Sequence, residues 1–162
     1  MFDTLLEGGK ISRSQVVGPE TSLSVDECLQ KYETDLRTLF HTHGNDKQSA
    51  DIMILGMGPD GHIASLFPPL SRALLPSTTE KERIYHTQTP RFDVFDRMTV
   101  SLAQIQATSE KIFFLQGSGK ADLWHQMLQD YQDCGDNVES VARLFPAVAV
   151  IDSGNTVAVT SF

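Results

Sequence analysis

Cysteine is nearly missing from this sequence. Only Cys28 and Cys134 occur among 162 residues, far apart and in no CxxC or Cys/His pattern. They supply neither a disulfide framework nor a four-ligand zinc site, and two incidental thiols suit a reducing compartment. Cations are scarce as well. Thirteen Lys and Arg stand against 21 Asp and Glu, a formal charge of -8 at pH 7. Such a surface repels nucleic acid and anionic lipid, so an anionic ligand must be met by a few clustered cations. Long apolar runs are lacking too: none approaches the roughly 20 residues of a membrane-spanning helix. The opening MFDTLLEGGKISRS has no apolar core of the signal-peptide kind. These absences point to a soluble, most simply cytoplasmic protein with neither a nucleic-acid nor a membrane partner.

What remains is ordinary globular material, 40% hydrophobic and 21% charged, of a length that suits one domain over residues 1–162. Met1 to Gly9 reads as a short helix stopped by paired glycines. Over Thr21 to Phe40, Leu23, Val25, Cys28, Leu29, Tyr32, Leu36, Leu39 and Phe40 recur at spacings mostly of three and four, which predicts an amphipathic helix capped by Ser24. His41 and His43 fall in the polar loop that follows, and an HxH pair without a third ligand makes no metal site. Asp51 to Leu55 and Lys111 to Leu115 are compact apolar runs of the buried-strand type. Ile84 to His86 and Met98 to Leu102 read as further strands, and Ala121 to Tyr131 as a helix. Ala147 to Ile151 and Val157 to Val159 read as two closing strands around Ser153-Gly154-Asn155. The alternation describes an α/β fold, a mainly parallel sheet with helices on both faces.

Ligands in such sheets bind at the carboxyl ends of strands. Two glycine turns stand there. Gly56-Met-Gly58-Pro-Asp60-Gly61-His62 matches GxGxxG literally, but Pro68-Pro69 stops any long helix behind it, so the dinucleotide reading fails on context. Gly56, Gly58 and Gly61 instead allow backbone amides to come close to a ligand. His62, in the turn into a following helix, has the side chain best suited to proton transfer near neutral pH, and Asp60 can orient its ring. No serine or cysteine nucleophile is built into the turn, so His62 acting on a water or a substrate proton is the favoured chemistry. Gly117-Ser-Gly119-Lys120, between a strand and a helix, is a seat for an anion such as phosphate, without the spacing of a nucleotide loop. Arg97 and Arg91, ahead of the Met98 strand, offer a second cation.

The run from Asp51 to Pro68, DIMILGMGPDGHIASLFP, closely resembles the signature of 6-phosphogluconolactonases. Arg97-Met-Thr-Val-Ser-Leu102, Phe113 to Lys120 and Pro146-Ala147 resemble later segments of that family in the same order. The resemblance implies hydrolysis of the δ-lactone of 6-phosphogluconate in the oxidative pentose phosphate pathway, with no metal or organic cofactor. It implies His62 as the base that activates water, Asp60 as its orienting partner, and Arg97 and Lys120 as holders of the 6-phosphate. A sister family, the glucosamine-6-phosphate deaminases, shares the Gly-x-Gly-x-Asp-Gly-His core but continues Ile-Ala-Phe-Asn-Glu-Pro. Here the continuation is Ile63-Ala-Ser-Leu-Phe-Pro68, without that glutamate. A deaminase-like enzyme and an inactive sugar-phosphate-binding module are the competing readings. The family's opening strand, its Ser-Gly-Gly-Ser-like loop and its Asp-Glu-Arg segment find no match, so the chain corresponds to the C-terminal two-thirds of the family domain. The expectation is an unpaired sheet edge and an exposed apolar face, to be covered by an upstream fused domain or a second copy.

Overall fold

The computed structural model describes residues 11–43, 48–71 and 83–161. The expected helix at Met1 to Gly9 lies outside these. Past a short 3-10 turn, the first helix is α1, Val25–Thr42. Its start is fixed by reciprocal bonds: Ser24 Oγ accepts from the Glu27 amide, and a Glu27 carboxylate oxygen accepts from the Ser24 amide at 3.2 Å. This is the capping box that Ser24 and Glu27, three apart, encode. The helix runs further than the sequence reading placed it. His41 lies in its last turn and His43 caps it, because nothing between Leu36 and Thr42 breaks a helix.

Three strands, β1 (Ile52–Leu55), β4 (Glu110–Gln116) and β5 (Thr156–Ser161), form a parallel sheet in the order β1-β4-β5. The register pairs Leu55 with Phe113 and Phe113 with Ala158. Between β1 and β4 stand an antiparallel pair, β2 (Ile84–Gln88) and β3 (Asp96–Val100), which forms its own two-stranded sheet, and the helix α2 (Leu102–Ala107). The crossover from β4 to β5 carries α3 (Ala121–Asp133), α4 (Val138–Leu144) and α5 (Pro146–Asp152).

The last of these corrects an expectation. Ala147 to Ile151 is helix, with Pro146 at its first turn and Ala147, Val148, Ala149 and Val150 all buried. A short apolar run buried on every side has no period, so a core helix and a core strand look alike in sequence. Pro at N1, which lacks an amide the helix would leave unbonded anyway, was the signal for helix.

Alternation along β4 divides the sheet. Phe113 and Leu115 point into the core, where the Phe113 ring lies 5.3 Å from Trp124 of α3. Ile52, Ile54, Phe114, Val157 and Val159 are exposed, Ile54 to 72%. Among the described residues, therefore, the helices of the α/β fold cover one face of the parallel sheet rather than both, and the other is an apolar surface with β1 and β5 as its edges. Lys111, on the inward side of β4, is buried. Its ammonium group is 3.3 Å from Ser153 Oγ, and burial lowers its pKa from the ordinary 10.5.

Candidate active site

The turn after β1 is built by its own backbone. Gly58 N–H donates to the His62 carbonyl at 2.8 Å, and Gly61 N–H donates to Gly58 O at 3.1 Å. These bonds fold residues 58–62 into a compact loop, so the amides of Gly58 and Gly61 serve the loop rather than standing open to a ligand. The glycines act through their missing side chains. A Cβ on Gly58 would overlap the His62 imidazole, and Gly61 sits at φ +85° with Phe145 against it. Only glycine combines that backbone with that closeness.

Folding the loop sets His62 against Asp60. Nδ1 lies 2.5 Å from Asp60 Oδ1, which also accepts from the His62 amide at 3.3 Å. With the carboxylate on Nδ1, the proton of a neutral ring sits there and Nε2 carries the lone pair. The other carboxylate oxygen, Oδ2, receives Arg91 Nη1 at 2.5 Å, while Arg91 Nη2 donates to Pro68 O at 3.0 Å. Burial alone would raise the Asp60 carboxyl, but the bonds from His62 and Arg91 outweigh it and hold it below its ordinary 3.8. Its contribution to stability is thus present above that value and is lost as pH falls through the lower folded value.

No helix follows His62, contrary to the sequence expectation. Residues 63–66 form a tight turn, with Leu66 N–H on Ile63 O at 2.8 Å and Ala64 at φ +49°. Two threonines of the β2–β3 pair hold it: Ser65 N–H donates to Thr99 Oγ1 at 3.0 Å, and Thr87 Oγ1 donates to Ser65 O at 3.3 Å. Pro68 and Pro69 disfavour helical backbone in the residues before them. The turn directs Phe67 onto His62, ring centroids 4.8 Å apart, and Phe92 meets the same imidazole edge-on at 5.5 Å. Both contacts were missed in the sequence, since a lone aromatic in a loop carries no periodic signal.

Arg97 of β3 lies over the ring of Phe92, its guanidinium 5.4 Å from the ring centre, with Nε donating to Val94 O at 3.1 Å. Lys120 closes a 3-10 turn, Ser118–Lys120, that leads from β4 into α3. Gly117 enters this turn at φ +95°, with its N–H on Ser161 O of β5 at 3.1 Å. Since β1 and β4 are adjacent and parallel, the His62 and Lys120 turns leave the same carboxyl end of the sheet. Gly56, the first residue past β1, has nothing within 4 Å of where a Cβ would stand. Among the described residues no group of three or more His, Cys, Asp or Glu could hold a metal ion, and no helix is long and apolar enough to cross a membrane.

The fold and site together define a parallel α/β protein with a histidine–aspartate pair at one strand end and a glycine–lysine turn at the next. The family model for glucosamine-6-phosphate isomerases/6-phosphogluconolactonase matches residues 1–158, and the chain belongs to that family. A probable 6-phosphogluconolactonase from Dictyostelium discoideum is 36% identical over 140 residues, 86% of this chain and 53% of the relative. The bifunctional glucose-6-phosphate 1-dehydrogenase/6-phosphogluconolactonase of Plasmodium falciparum (isolate 3D7) is 31% identical over 170 residues, 89% of this chain and 18% of that protein. Among solved structures, the 6-phosphogluconolactonase from Plasmodium vivax superposes with a TM-score of 0.77 at 34% identity, covering 98% of this chain and 60% of the other. The chain thus spans about half the length of the Dictyostelium relative.

Proposed function

We propose that the chain is the larger part of one 6-phosphogluconolactonase domain and hydrolyses 6-phospho-D-glucono-1,5-lactone to 6-phospho-D-gluconate. The observation that carries the reading is the His62–Asp60 pair, a ring held through Nδ1 at the carboxyl end of β1. In this reading Nε2 takes a proton from water as the water oxygen bonds to C1. The C1–O bond of the ring then breaks, and the proton passes from His62 to the departing ring oxygen. Asp60 holds the imidazolium in between. Lys120 and Arg97 hold the 6-phosphate away from C1, so that its binding energy positions the carbonyl.

Phe67 favours the lactonase over the deaminase. It occupies the position of the deaminase-like glutamate, and its ring lies on His62. The test is to offer the purified chain both substrates. Acid release from the lactone without ammonia from glucosamine 6-phosphate supports the proposal. Ammonia release would overturn it, and binding of 6-phosphogluconate without turnover would leave an inactive sugar-phosphate-binding module.

Two further readings belong to the proposal. The exposed face of β1, β4 and β5 is covered by the rest of the same fold, carried by a fused segment. The length that the relatives have beyond their match to this chain argues for it. Light scattering tests this: a discrete dimer of the 162-residue chain, dispersed by Ile54→Asp, would assign the face to a second copy instead. The protein is placed in the cytoplasm, whose reducing poise suits the free thiols Cys28 and Cys134. Cell fractionation that finds it in an organelle would refute this.

A further inference from the structure

The connection between β2 and β3 touches both members of the proton-transfer pair with two successive residues. Arg91 meets Asp60, and Phe92 meets His62. The connection is itself shaped for this. Thr89 N–H donates to Phe95 O at 3.1 Å, closing the loop, and Thr89 Oγ1 accepts from the Arg91 amide at 3.3 Å, setting the direction in which Arg91 leaves. Its guanidinium then spans two segments, the Asp60 carboxylate on the β1 turn and the Pro68 carbonyl beyond the following turn. Both Nη atoms are engaged by the protein, one on the carboxylate and one on the carbonyl.

We propose that Arg91 is a positioning residue: it locks the Asp60 carboxylate in the orientation that holds His62, and does not contact the substrate phosphate. The physical case rests on how a carboxylate is held. With only His62 on Oδ1, Asp60 is free to rotate about its χ2 and to exchange oxygens. A cation on Oδ2 fixes the plane and leaves Oδ1 to the imidazole. The second bond, to Pro68 O, ties that orientation to the segment that presents Phe67. Charge acts alongside geometry, since Arg91 and His62 are the groups whose bonds hold the Asp60 carboxyl low against its burial. Arg97 meets Phe92, its guanidinium 5.4 Å from the ring centre.

The proposal rests on His62 as the base, so one readout must be independent of turnover. Arg91→Gln and Arg91→Lys chains, compared with the parent, serve for this. The first readout is the titration of the Asp60 carboxyl carbon by 13C NMR, with Asp60→Asn identifying the resonance. In Arg91→Gln its midpoint should move up, and Arg91→Lys should restore most of the difference. The second is lactone hydrolysis. In Arg91→Gln, kcat should fall about tenfold to a hundredfold while KM changes less than about threefold, the pattern of a lost transition-state alignment. An unmoved Asp60 titration would overturn the proposal even in a chain without lactonase activity. A raised KM at unchanged kcat would overturn it too, and would make Arg91 a phosphate contact. If the parent chain shows no turnover while the Asp60 titration shifts as expected, the lactonase reading fails and the positioning role stands.

Discussion

The two glycine turns leave neighbouring parallel strands in the same direction, yet they are made differently. The turn at 58–62 is filled from within: a Cβ on Gly58 would run into His62, and one on Gly61 would meet Phe145 at 3.4 Å. Around it, Arg91, Phe67 and Phe92 contact the Asp60–His62 pair from two other segments. The turn at 117–120 is open: a Cβ on Gly117 or Gly119 would meet nothing within 4 Å. A group that moves a proton must be aligned before the substrate arrives, and its alignment is bought with packing. A seat for an anion needs room and a charge, and the ligand completes its packing. The contrast is the one that the proposed roles require, proton chemistry at the first turn and phosphate binding at the second.

Gly58→Ala should break this contrast most severely. The added methyl displaces the imidazole, and a misplacement of about 1 Å costs on the order of 100-fold in rate. Lactone hydrolysis should fall by that factor with far-UV circular dichroism unchanged, whereas full activity would show that His62 is not held as described. Lys120→Ala should cost less and act on binding. Losing one hydrogen bond to a charged group, worth about 1.5–3 kcal/mol, raises KM roughly 10- to 100-fold. A fall in kcat at constant KM would move Lys120 out of the phosphate role.

Much of this was legible in the sequence, for local reasons. Ser24 with Glu27, the apolar stripe of α1, and the runs before Gly56 and Gly117 each encode a structure through neighbours within a few residues. The partnership of Asp60 and His62 was legible for the same reason, since two residues separate them. Arg91 was visible only as a spare cation, because its partners Asp60 and Pro68 come from another segment brought near by the β2–β3 pair. The turn after His62 was misread as helix because the threonines that hold it, Thr87 and Thr99, lie more than 20 positions away. Ala147 to Ile151 was misread because full burial erases the period that distinguishes helix from strand.

Smaller effects sharpen the same contrast. Gly117→Ala puts a Cβ on a backbone at φ +95° with no neighbour to strike, so only conformational strain is at stake. It should cost about 1–3 kcal/mol of stability, read by denaturant melts, while Gly119→Ala, free of that strain, stays within about 0.5 kcal/mol. Equal losses at the two positions would contradict the assigned backbone. Acid melts probe the packed turn. Because the folded Asp60 carboxyl lies below its ordinary 3.8, its stabilisation is retained above that value and lost below it. Asp60→Asn should therefore be less stable than the parent near neutrality, with the difference shrinking as pH drops through that region. A difference that grew on acidification would reverse the sign of the account.

The most direct test of the central claim is the rate of 6-phosphoglucono-δ-lactone hydrolysis above the spontaneous background by the purified chain, with His62→Ala alongside. The account predicts turnover by the parent and a loss of at least about 1,000-fold in the variant, as expected when the group that both takes and returns the proton is removed. Turnover that survives in His62→Ala would contradict it.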